Sequence, residues 1–301
     1  MDMKTTLILM HRHQKLFFKD KGMFLSSLIT PVILIVLYMT FLDRIYHNSF
    51  VSYMPKNFSL SSSIINTTVA SQLISSLLAV TCVTVTFSVN MTMVQDYALG
   101  IRKDFDIAPV KKSVLYLSYL FATILNSLIV NMVALILGLF YIATRGWYLQ
   151  AVDIVWLIGD VVLLVVFGAV LSGIICFPLR TQGARNAVGT IVSAGYGFFC
   201  GAYMPLHYFG THLQNVMSFF PSTYATSLLK NHFLSRPFHQ MQEAGVPKAV
   251  IKEIAISLDC KLKLLGHVVS VEMMILLLLI ATIILLVLYL FLSQYRSKKL
   301  S

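Results

Sequence analysis

The chain has 301 residues, of which 57% are hydrophobic and 12% charged, with a formal net charge of +11. Soluble domains are about a quarter charged. Half that share, with a mean hydropathy of +0.80, leaves too little polar side chain to wet a water-soluble surface. This disfavours a cytosolic enzyme, a nucleic-acid-binding module and a disordered chain, and favours a polypeptide whose solvent is mostly lipid.

The chain opens on a basic stretch, KTTLILMHRHQKLFFKDK, in which Arg12, Lys15 and Lys19 alternate with Leu7, Ile8, Phe17 and Phe18. That pattern predicts a helix lying on the inner leaflet within residues 1–22, with membrane lipid as its partner. A basic flank that merely sets topology is the simpler alternative.

A membrane-crossing helix needs about 20 mostly apolar residues. Six runs qualify: 23–42, with Pro31 inside it, then 64–93, 114–143, 154–177, 187–203 and 271–292. The first is too long for a signal-peptide core, and no small-residue cleavage site follows it. The expected fold is an all-α membrane protein, a single transmembrane domain over 1–301. It has six transmembrane helices, an N-terminal interfacial helix, and short outer re-entrant or amphipathic helices between spans five and six.

Six spans place both termini on one side, and Lys and Arg choose that side. Lys4, Arg12, Lys15, Lys19 and Lys21 precede span one. Arg102, Lys103, Lys111 and Lys112 follow span two, Arg180 and Arg185 follow span four, and Arg296, Lys298 and Lys299 end the chain. The two shorter loops opposite hold only Arg44, Lys56 and Arg145. Both termini are therefore expected in the cytoplasm of a cell-membrane protein.

Span two carries Thr68, Gln72, Ser76, Thr84, Ser88 and Thr92 at a steady interval, with Ser75, Cys82, Thr86 and Asn90 beside them. Lipid would not favour that face. It reads either as interhelical hydrogen bonding or as the wall of a translocation cavity, with Gln72, Ser76, Thr86 and Asn90 as the path candidates. The connector after it mixes Asp96, Arg102, Lys103, Asp104 and Asp106 with Leu99, Ile101, Phe105, Ile107 and Val110. A loop that only had to be soluble would not need those apolar residues. It is expected to form a short amphipathic helix that docks in a partner's groove, or else an interfacial connector in the headgroups.

In span four Asp160 is a candidate intramembrane carboxylate. In span five Gly189, Ser193, Gly197 and Gly201 recur every four residues, as expected of intrachain packing, of a dimer seam or of the sliding surface of a gate. Between Leu206 and Ser270 the chain is broken by Pro205, Gly210 and Pro221. After Pro247, Val250, Ile251, Ile254, Leu258, Leu262 and Leu265 then recur at helical spacing up to Gly266. An amphipathic helix over about 247–265 is expected there.

Chemistry is scarce. Cys82, Cys176, Cys200 and Cys260 show no metal-type spacing, and three of them lie in apolar runs. His207, His212, His232 and His239 form no i, i+3 or i, i+4 pair and read as loop histidines. There is no HExxH, GxSxG or paired-carboxylate motif, so no catalytic residue and no metal site are assigned. No GxxxxGK[ST] occurs, so any ATP is expected on another chain.

Taken together, the chain resembles the membrane subunit of an ABC type-2 exporter. The resemblance rests on the basic stretch leading through Lys19-Asp20 to Pro31, on Asp96, Gly100 and Ala108-Pro109-Val110 in the first connector, on Gly201-Ala202-Tyr203-Met204-Pro205 after span five, and on Pro221-Ser222-Thr223-Tyr224. The segment before span six is longer than in many drug-export members. The resemblance implies a permease without enzymatic activity of its own. It also implies a second membrane subunit, identical or related, and two ATP-binding subunits that hold ATP and Mg. The docking surface it implies is Asp96 through Asp106 plus the helix around Arg12, Lys15, Phe17 and Lys19, with spans two and five lining the path. An amphipathic compound, antimicrobial peptide or lipid-like cargo suits such walls, and nucleic acid is not a partner. An ion-coupled carrier or channel resting on Asp160, and a non-transporting scaffold, are the other classes.

Overall fold

The computed structural model describes residues 3–53, 60–108, 110–264 and 267–298. Lys56, Pro109, Leu265, Gly266, Lys299 and the side chain of Asp106, which entered the expectations above, lie outside the described part.

The basic N-terminus forms α1, Met3–Lys19. Thr6, Leu9, His13 and Phe17 recur every three or four residues and form its buried stripe, while Leu7, Ile8 and Phe18 stay exposed. Asp20 caps the next helix, its carboxylate accepting from the Met23 N–H at 3.1 Å. That helix, α2 (Lys21–Leu37), runs through Pro31, passes a π-helical turn at Tyr38–Leu42 and continues as α3 (Asp43–Tyr53). Span one is thus longer than the expected 23–42.

The central element is α4, Ser62–Ala98, whose start is capped by the Ser61 hydroxyl. It is buried almost all round, packed by α2, α3 and most of the later helices. A tight turn at Gly100, where φ is +77°, leads to the short α5, Arg102–Ile107. Then come α6 (Lys112–Arg145) and α7 (Ala151–Cys176), the latter opened by a reciprocal Gln150/Asp153 capping box. Thr181 caps α8, Gln182–Phe199.

Close approach fixes how these helices cross. A Cβ on Gly168 of α7 would sit 2.7 Å from Thr86 Oγ1 and 3.1 Å from the Cys82 carbonyl and Val83 Cα of α4. Gly138 of α6 meets Ile74 of α4 in the same way. Larger residues there would push the central helix off its neighbours.

The segment between the fifth and sixth apolar runs departs from expectation. It holds a 3-10 turn at Leu206–Tyr208 and α9, Thr211–Met217, as the short helices foreseen. It then forms a 23-residue helix, α10, Pro221–Glu243, packed on α4, α7 and α12 (Val271–Lys298). Pro221 does not break the chain but starts the helix at its first position, where a missing N–H costs nothing. The amphipathic helix foreseen over 247–265 is shorter, α11, Lys248–Ser257. It stops at Asp259, in the left-handed region at φ +59°, and a two-residue antiparallel pair follows, Lys263–Leu264 with His267–Val268.

Among the described residues five helices are long and apolar enough to cross a membrane: Lys21–Asn48, Ser62–Ala98, Lys112–Arg145, Ala151–Cys176 and Val271–Tyr295. The fifth expected run, 187–203, is the exception. Its helix ends at Phe199, and its first turns carry Gln182, Arg185 and Asn186. On the outside of the bundle Ile136 and Phe140 of α6, Val155 of α7 and Ile280, Ile284 and Val287 of α12 are exposed. So wide an apolar belt is stable only against lipid.

Candidate functional site

A cleft of about 1140 Å³ runs along α4 between α2–α3 on one side and α8 on the other. Its α4 floor extends from Thr68, Val69 and Gln72 to Phe87, Ser88 and Met91. That is roughly 35 Å of helix at 1.5 Å per residue, about the thickness of a bilayer core. The walls are mostly apolar, Ile33, Leu37 and Phe41 facing Ala194 and Phe198, with hydroxyls from Thr30, Tyr38, Thr190 and Ser193. Arg185 and Asn186 stand at one end. Tyr203, Met204, Pro205, Ile254, Ser257 and Leu258 wall the other.

The polar row of span two is satisfied largely within its own helix. Thr68, Ser75, Thr81, Thr84, Thr86, Ser88 and Thr92 each donate to a carbonyl three or four residues back in α4 itself. Hydroxyls satisfied by their own helix need neither a neighbour nor water. Of the four path candidates only Gln72 lines the cleft, beside Tyr46. Ser76 is buried in the bundle, Thr86 lies under Gly168, and Asn90 donates to Ser172 of α7 at 3.3 Å. Positions 72 and 90 are five turns apart and share an azimuth on an ideal helix of about 3.6 residues per turn.

The small-residue ladder of span five is likewise divided. Gly189 and Ser193 face the cleft. Gly197 is roofed by the Tyr203 ring, and Gly201 lies beyond the helix in a turn at φ +71° that brings Leu206 against it. The four do not form one continuous seam.

At the Ala98 end of α4 the charged connector is folded inward. Asp96 is buried and accepts from both terminal nitrogens of Arg12, at 2.9 and 3.4 Å, and from the Tyr119 hydroxyl. Arg102 is buried with its guanidinium over the rings of Tyr97 and Tyr116, at 5.1 and 4.7 Å, and Arg180 covers Tyr97 at 4.1 Å. Phe105 is half-buried beneath Arg12. Ala98, Leu99, Lys103, Asp104 and Ile107 are exposed at this corner, Ile107 by 87%. On α1, Lys15 and Lys19 face outward, whereas Phe17 is wholly buried among Met23, Val85, Val89 and Val130. His13 stacks on Tyr119 at 3.9 Å and reaches Ser118 Oγ at 3.1 Å. Burial, and then the Arg12 charge, push its imidazole from the ordinary 6.5 down to about 3.

Asp160 does not line the cleft. It pairs with His232 Nδ1 of α10 at 2.6 Å, and Trp156 stacks on that imidazole. His212 of α9 and His232 and His239 of α10 are helical, not loop, residues, and among the described residues no three ligands converge on a metal site. All four cysteines are free and buried.

The sequence reading missed a second polar knot. Lys230 of α10, with a side chain 0% exposed, donates to the Gly201 carbonyl at 3.1 Å and faces Asp259 Oδ2 at 3.5 Å. The same Asp259 oxygen accepts from the Leu206 N–H at 2.7 Å, and Ser227 and Asn231 hold the Asp259 and Cys260 carbonyls. A lone Lys in a segment of mixed polarity gave no signal that it would be buried.

A polytopic helical bundle with an apolar belt and a membrane-deep amphipathic cleft is the membrane part of a transporter. Residues 51–294 match the family described as ABC-2 family transporter protein, and the chain belongs to that family. It is thus a multi-pass membrane protein and a permease component of an ABC transporter. No curated protein matches the chain.

Proposed function

We propose that this chain is the permease subunit of an ATP-driven exporter. It moves an amphipathic compound, an antimicrobial peptide or a lipid-like cargo outward, energised by a separate ATP-binding subunit. The cleft carries the reading: it is as long as a bilayer is thick, apolar along its walls and dotted with hydroxyls. In this reading α8 is the fifth of six spans and both termini are cytoplasmic. The open side of the cleft, between α2 and α8, faces a second membrane subunit, identical or closely related.

Two ATP-binding subunits, holding ATP and Mg, dock at the corner made by α5 and α1. Lys103, Asp104 and Ile107 meet the partner there. Asp96, Arg102 and Arg12 transmit its movement, being the internal ties between α5, α1 and the central helix. Asp160, paired off the cleft, takes no part in the path.

The test is purification of the chain from native membranes in mild detergent, with mass spectrometry and an ATPase assay. A co-purifying P-loop subunit with ATPase activity is the expected result. A stable preparation with neither overturns the reading.

A further inference from the structure

The end wall of the cleft opposite Arg185 is built from two separate loops. One is the turn from Gly201 to Leu206, which contributes Tyr203, Met204 and Pro205. The other is the end of α11 and the turn after it, which contributes Ile254, Ser257 and Leu258. Lys230 stands behind both on α10. Its ammonium holds the first loop by the Gly201 carbonyl at 3.1 Å and the second by the Asp259 carboxylate at 3.5 Å, and Asp259 reaches back to the Leu206 N–H at 2.7 Å.

We propose that Lys230 and Asp259 form a latch that keeps the outer mouth of the cleft shut, so that release of this one ion pair frees the two loops to part. The proposal rests on the transport reading above for the direction of the mouth.

Three observations carry it. First, an ion pair this deep is a costly way to hold two loops, since apolar packing of equal volume is commonly as stable. Second, the latch grips each loop at its sharpest turn. Gly201 and Asp259 both sit at positive φ, +71° and +59°, so each loop turns sharply at its point of attachment. Third, both loops depend on the same nitrogen. When the carboxylate withdraws, the ammonium keeps the Gly201 carbonyl, and the second loop keeps α10's hold on the Asp259 and Cys260 carbonyls. Lys230 is a positioning residue here and touches no cargo.

The test uses the full chain in its membrane with one added thiol, Gly189→Cys. A Cβ there meets nothing within 4 Å, and the four native cysteines are buried. A membrane-impermeant maleimide is applied to intact cells and, separately, to inside-out vesicles. With the latch intact, labelling from outside is slow. Lys230→Met is expected to raise that rate about tenfold or more, because the buried carboxylate loses its cation. Lys230→Arg, which keeps the charge and the donor to Gly201, should stay within about twofold of the parent. A merely structural lysine would lower thermal stability without this selective opening.

Where Lys230→Met fails to accumulate, Asp259→Asn decides. Asn tolerates positive φ and still accepts from Leu206, and it is expected to raise labelling at least about threefold. Parental labelling rates on both faces for a folded variant overturn the latch. A rise confined to inside-out vesicles supports the latch and overturns the orientation given under the proposed function.

Discussion

Arg12 and Asp96 are 84 residues apart in sequence, yet the Arg12 guanidinium closes on the Asp96 carboxylate with both terminal nitrogens, at 2.9 and 3.4 Å. The pair bolts the N-terminal helix to the end of the central helix. Removing the cation strands a buried carboxylate, a loss of about 3 kcal/mol because Arg12 is partly exposed. Arg12→Met is therefore expected to free α1 and speed tryptic cleavage at Lys15 and Lys19. The double variant Arg12→Met/Asp96→Asn should lose less than the sum of its parts. Unchanged cleavage would show that α1 is held by its apolar stripe alone.

The exposed edge of α5 is where an ATP-binding subunit is expected to touch. Ile107→Asp should leave the stability of the chain within about 0.5 kcal/mol of the parent, since the side chain is almost wholly exposed. It should nevertheless abolish co-purification of the ATPase. Phe105→Ala is a poorer probe, because it removes the ring beneath Arg12 and disturbs the junction as well. Retained ATPase in the Ile107→Asp preparation would move the docking surface elsewhere.

Gly168 and Gly159 lie on the same helix and should respond oppositely to alanine. At Gly168 the new methyl meets two backbone atoms of α4 at 3.1 Å, and a cost of about 1–3 kcal/mol is expected. At Gly159 nothing lies within 4 Å, and alanine should stabilise the helix by about 0.5–1 kcal/mol. Thermal unfolding in one detergent checks both, and equal shifts would contradict the close crossing.

His13 makes the docking of α1 sensitive to acid. Its folded pKa, about 3, lies below the ordinary 6.5, so the unfolded or undocked helix binds a proton that the docked one refuses. Stability is complete above pH 6.5 and falls between 6.5 and 3. By pH 5 the loss is about 2 kcal/mol. Proteolysis at Lys15 should accelerate from pH 7 to pH 5 in the parent and stay flat in His13→Gln. A parent that is flat over that range would mean the imidazole is accessible.

Apolar run length made the five long helices legible before any coordinates, because partition into lipid is nearly a sum over residues and needs no partner. The α1 helix was legible from a different signal, apolar residues recurring among basic ones; which face packs on the bundle was not, and His13 lies on it while Leu7 and Ile8 are exposed. What escaped the sequence reading was α10. Short re-entrant or amphipathic helices were expected there, not one helix of 23 residues. Thr223, Ser227 and Lys230 are buried on it against partners supplied by Met217 and Asp259, and the half-buried Asn231 holds the Cys260 carbonyl. In the connector Asp96 and Arg102, expected at a docking surface, are buried against Arg12, Tyr97 and Tyr116.

Composition and periodicity settled that this chain lives in lipid, where its long helices run, and that it carries no nucleotide motif of its own, since those properties belong to single residues and their near neighbours. The cleft, the Lys230–Asp259 pair and the junction of α1 with the Ala98 end of α4 arise only on folding. Each depends on groups, such as Lys230 and Gly201 or Gln72 and Ser193, that folding brings together from helices far apart in sequence. The close approaches at Gly138 and Gly168 that seat α6 and α7 against α4 are announced by no local pattern either.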